Sequence, residues 1–206
     1  CIWATGGAGH SPCGATTYGE IEDYNVHVSQ APAGLITATV SVNSPICSGS
    51  TANFSVASSY TGALTYTWTG PGAFTSNLQN PTIVNAQVIN GGVYTVTVTA
   101  VGGCMSTGTT NVIVNPVPSP TATSNSPICV NQTLNLFGSG GTTYTWTGPG
   151  GYTSNLQNPV IATAQASNAG TYTLSVTNGN GCINFTTTTV VINPLPVITV
   201  NNPLVC

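Results

Sequence analysis

The chain has 206 residues, no Lys or Arg, three acidic residues and a formal net charge of −3, so 1% of it is charged where ordinary soluble domains carry about 25%. Salt bridges therefore contribute nothing to its stability. Without a basic surface to neutralise phosphate or anionic lipid, nucleic acids and acidic membranes are excluded as partners. Solubility must come from uncharged polar groups, and Thr alone supplies about one residue in six. The 40% of hydrophobic residues are regularly spaced, which argues for folded structure over disorder. No apolar run approaches the roughly 18 residues of a spanning helix. Seven cysteines without metal-type C-x-x-C spacing indicate an oxidising compartment. There is no initiator Met and no signal-peptide pattern, and the reading is of a mature piece of something longer.

The first element is YGEIEDY (18–24), which holds Glu20, Glu22 and Asp23, all the acids of the chain. In a strand, Glu20 and Glu22 share one face and Asp23 takes the other. Two carboxylates on one face repel, which raises at least one pKa unless a cation lies between them. Calcium needs several carboxylate and carbonyl oxygens, so these three residues are a candidate calcium site, and no other cofactor is expected. The alternative is a solvated strand end whose basic partner lies upstream. His10 and His27 are the only histidines, and neither sits near an acid or a Ser-Gly elbow at triad spacing. His27 reads as a surface strand residue.

From residue 36 onward the chain repeats itself. TYTWTGPGAFTSNLQNP (65–81) returns as TYTWTGPGGYTSNLQNP (143–159), with two of 17 positions changed. The same offset of 78 maps Tyr94 onto Tyr172 and Cys104 onto Cys182, and NSPIC (43–47) recurs at 125–129. A period near 80 suits a small tandem β-domain. Within a repeat the pattern has period two: Leu64, Tyr66 and Trp68 alternate with threonines, as do Tyr94, Val96 and Val98. This puts an apolar face inward and a threonine face in water. Strands are expected at 36–42, 51–57, 63–69, 81–88, 92–100 and 107–114. In the second copy they are expected at 118–124, 132–137, 142–147, 159–166, 170–177 and 185–192. Turn signals separate them. The fold class is all-β, a tandem of two-sheet sandwiches in an extended array. Proline-bearing linkers, NPVPSP (115–120) and NPLP (193–196), space the domains stiffly.

NGGVYTVTV (90–98) and NAGTYTLSV (168–176) resemble the Asp-Ala-Gly-x-Tyr-x-Cys stretch of immunoglobulin-like domains, with Asn for Asp and with Val96 and Leu174 where the Cys would stand. The resemblance makes Tyr94 and Tyr172 tyrosine-corner residues. With the SPIC opening and the YTW strand, each repeat is similar to the Ig-like and PKD-like repeats of large secreted Bacteroidetes proteins. Adhesins and other cargo of type IX secretion carry such repeats. PCGATTYGEIEDYNVHV (12–28) looks like the C-terminal end of a GEVED domain, with Ile21 for Val. The implied organisation is a GEVED-like end at 1–30, a linker at 31–35, Ig-like repeats at 36–116 and 117–195, and the first strand of a third repeat at 196–206. That last strand admits a second reading, addition to the sheet of a neighbouring subunit.

Pairing within repeats would join Cys47 to Cys104 and Cys129 to Cys182. In an Ig-type sandwich, however, Cys47 lies in the connection between the first two strands and Cys104 in the last turn, at opposite ends. A six-residue strand spans about 20 Å, while a disulfide needs Cα atoms within about 7 Å. The favoured expectation is an inter-domain staple from Cys47 to Cys182, with Cys104 local to Cys1 or Cys13, and Cys129 and Cys206 left for groups further along or in another molecule. Within-repeat pairing on an atypical strand order is the alternative.

Trp68 and Trp146 share a strand face with core residues and read as core, with Tyr94 and Tyr172. Phe74 and Tyr152, in aromatic turns, are the contact candidates for sugar or protein. No acid follows residue 23, so paired-carboxylate catalysis is impossible in the repeats, and the Gly-Pro-Gly turns open no helix that could hold a phosphate. The expected function is that of a structural or adhesive segment of a secreted bacterial cell-surface protein, in its sharper form a filament or fibre subunit, with other copies or neighbouring surface proteins as partners. A glycan-binding module or the non-catalytic tail of a secreted hydrolase is the alternative. The expected location is extracellular, and no enzymatic activity is expected.

Overall fold

The computed structural model describes residues 36–197, and every described element is a strand or a short 3-10 turn. The chain forms two compact units. One comprises residues 36–46 with Thr51–Ile113, the other Cys47–Ser50 with residues 114–197. The four residues Cys47–Ser50, which belong by sequence to the first repeat, are thus part of the second unit.

The first repeat runs through β1 (Ala38–Val42), β2 (Ile46–Cys47), β3 (Ala52–Ser58), β4 (Leu64–Gly70), β5 (Phe74–Ser76), β6 (Thr82–Ile83), β7 (Gly92–Ala100), β8 (Met105–Val112) and β9 (Val114–Asn115). The second repeats this order: β10 (Thr121–Ser124), β11 (Ile128–Cys129), β12 (Leu134–Ser139), β13 (Thr143–Gly148), β14 (Tyr152–Ser154), β15 (Val160–Ile161), β16 (Gly170–Thr177), β17 (Ile183–Val190) and β18 (Ile192–Asn193). Each repeat builds a three-stranded sheet, β1-β3-β6 or β10-β12-β15, and a four-stranded sheet, β5-β4-β7-β8 or β14-β13-β16-β17. In the second, β11 runs parallel to β18. These are the two sheets of an immunoglobulin-like sandwich.

The alternation explains the core. Ala52, Phe54 and Val56 of β3 face Trp68 of β4 and Tyr94, Val96 and Val98 of β7, all between 0% and 3% exposed. Their intervening neighbours are polar and outward. Leu134, Leu136, Trp146, Tyr172, Leu174 and Val176 do the same in the second repeat. Each tryptophan also satisfies its ring N–H: Trp68 Nε1 donates to the Leu78 carbonyl (2.9 Å) and Trp146 Nε1 to that of Gln157 (3.2 Å). Among the described residues no buried side-chain polar atom lacks a hydrogen-bond partner.

The strand expected at 81–88 is much shorter than its sequence suggests. Only Thr82–Ile83 pair with β3. Asn85 then takes a φ of 55°, and a 3-10 turn at Val88–Asn90 is closed by the Gln87 N–H donating to Asn90 Oδ1 (2.8 Å). The second repeat has the same turn at Ala166–Asn168, closed by Gln165 N–H to Asn168 Oδ1. A shortened strand leaves backbone groups of β3 without a ladder partner, and the NLQNP motif supplies substitutes. The Val56 N–H donates to Asn80 Oδ1 (3.1 Å) and Gln79 Nε2 donates to the Val56 carbonyl (3.2 Å). Asn158 and Gln157 make the same pair of bonds to Gly138. Uncharged amides thus complete the sheet, as buried backbone groups require.

Candidate functional site

Three features of the described residues bear on function: the cysteine pairing, the aromatic turns and the outer sheet faces. Glu20, Glu22, Asp23, His10, His27, Trp3, Cys1, Cys13 and Cys206 lie outside the described residues. Among the described residues no group of three or more His, Cys, Asp or Glu could hold a metal; Asp, Glu and His are absent after residue 27, which leaves cysteine alone of these types.

Cys47 and Cys182 form a disulfide, with S–S 1.96 Å and Cα atoms 5.7 Å apart, across 135 residues of sequence. The backbone around Cys47 is fixed by the Ser48 N–H donating to the Asn115 carbonyl (2.8 Å) and the Ser50 N–H to the Cys47 carbonyl (3.0 Å). Around Cys182 the organiser is Asn178. Its Oδ1 accepts from the backbone N–H groups of Asn180 and Cys182, both at 3.1 Å, and its Nδ2 donates to the Pro116 carbonyl (2.9 Å). The turn closes with the Cys182 carbonyl accepting from Asn178 N–H, and Gly181 supplies the φ of 79° that the reversal requires. Cys182 is fully buried. By chain entropy alone a cross-link of this span stabilises by about 5 kcal/mol.

The within-repeat pairing does not occur. β8 separates Cys104, just before its first residue, from the strand end where Ile46 N–H meets the Ile113 carbonyl beside Cys47. Eight residues of strand put roughly 26 Å between the two positions. Among the described residues Cys104 and Cys129, both half-buried, have no disulfide partner.

Trp68, Trp146, Tyr94 and Tyr172 are all fully buried. The Tyr94 hydroxyl donates to the Asn90 carbonyl (2.7 Å) and the Tyr172 hydroxyl to the Asn168 carbonyl (2.9 Å), each reaching back four residues. This is tyrosine-corner geometry. Burial raises both phenol pKa values, and for Tyr172 the nearby Tyr152 adds to the rise. A Cβ on Gly70 or Gly148 would run into the Tyr94 or Tyr172 ring, so each tyrosine is seated on a glycine of the adjacent strand. Phe74 and Tyr152 are half-buried against these corners. Phe74 meets Tyr94 edge-on at 5.4 Å and stacks on Phe54 at 5.9 Å. Tyr152 meets Tyr172 edge-on at 5.5 Å.

The outward positions of the four-stranded sheets are threonine-rich. Register places Thr75, Thr69, Thr95 and Thr109 side by side across β5, β4, β7 and β8, with Thr67, Thr97 and Thr107 in the next row. In the second repeat Thr153, Thr147, Thr173 and Thr187 form the matching row. The sequence reading missed two sets of exposed apolar residues. Ile183 and Phe185, 59% and 69% exposed, occupy the outward positions of β17. The signal is in INFTTTTV: with Val190 inward, alternation sends Ile183 and Phe185 outward. In the first repeat Val84, Val88, Ile89 and Val93 are all more than half exposed around the 3-10 turn. The corresponding residues of the second are Ala162, Ala166, Ser167 and Thr171.

No protein-family model matches the chain, and no curated protein matches it. Solved structures do. The three N-terminal domains of the Highly Immunogenic Outer Capsid protein of bacteriophage RB49 match at 19% identity and a TM-score of 0.40, covering 76% of this chain and 59% of that one. The insect immune protein hemolin matches at 14% identity and a TM-score of 0.46, covering 80% of this chain and 49% of that one. The amphioxus IgVJ-C2 molecule matches at 16% identity and a TM-score of 0.34, covering 70% of this chain and 97% of its own. The chain therefore spans about half of hemolin and somewhat more of the phage fragment. The Ig-like assignment of each repeat rests on the strand order and the tyrosine corners described above.

Proposed function

We propose that the chain is a structural, adhesive segment of a secreted bacterial surface protein, acting by spacing and self-association and not by catalysis. The Cys47–Cys182 bond carries this reading. It ties a segment of the first repeat covalently into the second compact unit, a reinforcement that serves load-bearing, and it calls for the oxidising conditions found outside the cytoplasm. The resemblance of the repeats to those of secreted Bacteroidetes adhesins supports the same reading. No Lys, Arg, Asp, Glu or His occurs at residues 36–206, so the repeats of different copies approach one another without side-chain charge repulsion. The exposed Val84, Val88, Ile89 and Val93 offer apolar area for that contact. At the other end of the chain, calcium at Glu20, Glu22 and Asp23 would belong to the GEVED-like module and not to the repeats.

The test is homotypic clustering of beads coated with the full chain. Clustering is expected, with little change on adding salt because the repeats carry no charged side chain to be screened. Replacing Val84, Val88, Ile89 and Val93 together by Thr should abolish it while the circular dichroism spectrum is retained. Beads that never cluster would sink the reading. Retention on a polysaccharide that is lost in Phe74→Ala and Tyr152→Ala variants without unfolding would replace it with glycan binding.

A further inference from the structure

The cysteines occupy two kinds of site, and the repeats place one of each kind in nearly the same backbone setting. Cys47 and Cys129 each end a two-residue strand. The next N–H donates to the last strand of the repeat, Ser48 to Asn115 and Val130 to Asn193, at 2.8 and 2.9 Å. Each cysteine carbonyl then accepts from the residue three further on, Ser50 or Gln132. Cys104 and Cys182 each close the turn between the last two long strands. Their carbonyls accept from Ala100 and Asn178 at 2.9 and 3.0 Å, and in both turns the residue before the cysteine, Gly103 or Gly181, donates back to that same residue. One site of the first kind, Cys47, is bonded to one of the second, Cys182. What remains among the described residues is one of each, Cys129 and Cys104.

We propose that Cys129 of one copy bonds to Cys104 of a second copy as Cys47 bonds to Cys182, joining copies head to tail. The proposal rests on the self-association reading and names its covalent form. The segment from Cys129 to Gln132 would dock on the first repeat of the next copy as Cys47–Ser50 docks in the second unit. A contact between unlike surfaces leaves one of each surface free at the two ends, and extends as a filament unless its rotation closes a ring. Both residues are half-buried, whereas the bonded Cys182 is fully buried. The bond forms by exchange with a small external disulfide such as oxidised glutathione. The Cys104 thiolate attacks it and releases one thiolate, and the Cys129 thiolate then displaces the second. Two protein thiols become one disulfide, and the external disulfide is reduced to two thiols.

The experiment oxidises the full 206-residue chain in a glutathione buffer and reads it by non-reducing electrophoresis and peptic mapping. A ladder of covalent oligomers is expected, lost on adding dithiothreitol, with a Cys104–Cys129 peptide in every rung above monomer. Cys104→Ser and Cys129→Ser variants, made with Cys1, Cys13 and Cys206 also changed to Ser, should each stay monomeric alone. Mixed in equal amounts they should give covalent dimer and nothing larger. Dimer from either variant alone, no dimer from the mixture, or a wild-type map joining Cys104 to Cys1 or Cys13 would overturn the proposal. Bead clustering by a Cys104→Ser/Cys129→Ser double variant separates the two readings. If it persists without the ladder, only the covalent link has failed. If the mixed dimer forms but beads never cluster, the self-association reading has failed instead.

Discussion

The two repeats share a turn-and-corner segment with two changes in 17 residues, yet their cores are filled differently. Where the first has Val56 and Val96, the second has Gly138 and Leu174, all buried. A Cβ on Gly138 would lie 2.9 Å from Leu174 Cδ2, 3.0 Å from the Gln157 carbonyl oxygen and 3.2 Å from a Trp146 ring carbon, so the larger leucine occupies part of the space that the first repeat gives to Val56. A second exchange sets Ala52 and Phe54 against Leu134 and Leu136. Phe54 gathers Trp68, Phe74 and Tyr94 within 6 Å, whereas Tyr152 has an aromatic contact with Tyr172. Volume is held while shape is traded, which cores tolerate well when the changes are paired. Outside, the repeats place their exposed apolar residues differently: Val84, Val88, Ile89 and Val93 of the first correspond to Ala, Ala, Ser and Thr in the second, whereas Phe185 of the second corresponds to Thr107 of the first. The interiors therefore solve one packing problem in two ways, while the surfaces are free to specialise.

This comparison can be broken most forcefully at the tryptophans. Trp68→Ala and Trp146→Ala should each cost about 3–5 kcal/mol, read as loss of the corresponding repeat's protection in hydrogen exchange. Similar losses in the two would show that the alternative fillings are energetically matched. The exchange of volume is sharper. Gly138→Val should destabilise the second repeat by about 1–3 kcal/mol, and adding Leu174→Val should restore part of it, measured by urea unfolding. No rescue would show that the pair is not coupled. Smallest is the corner bond. Tyr94→Phe and Tyr172→Phe should each cost about 1 kcal/mol. The pH profile follows from the same groups. Both phenols have raised pKa values in the folded state, so the folded form holds its proton more tightly. That stability is fully present below the ordinary tyrosine pKa of about 10 and falls as pH rises through the folded values. With no carboxylate, amine or imidazole side chain at residues 36–206, unfolding of the repeats should be flat from acid to neutral pH. A midpoint in acid would contradict this.

The long strands were legible because alternation over five or more residues leaves a phase that only a sheet explains. Trp68 and Tyr94 could be placed in the core on that phase alone. The short elements were not. β2, β5 and β6 have two or three residues each, too few for a period, and the run at 81–88 hid a residue at positive φ, Asn85. The NLQNP motif stood out as repeated, but its reason did not, since the backbone groups that Gln79 and Asn80 serve lie more than 20 residues away. Ile183 and Phe185 are in phase with the solvent face, which their apolar character alone does not reveal.

The amide clamp has an evolutionary consequence. Gln79 and Asn80 grip backbone atoms of β3, and Gln157 and Asn158 grip the same atoms of β12. A grip on backbone needs no particular side chain to bond to, and here it holds Val56 in one copy and Gly138 in the other. After a duplication, each copy could accept core substitutions at that position without renegotiating how its sheet is closed. The clamp separates the inheritance of the fold from the drift of its contents.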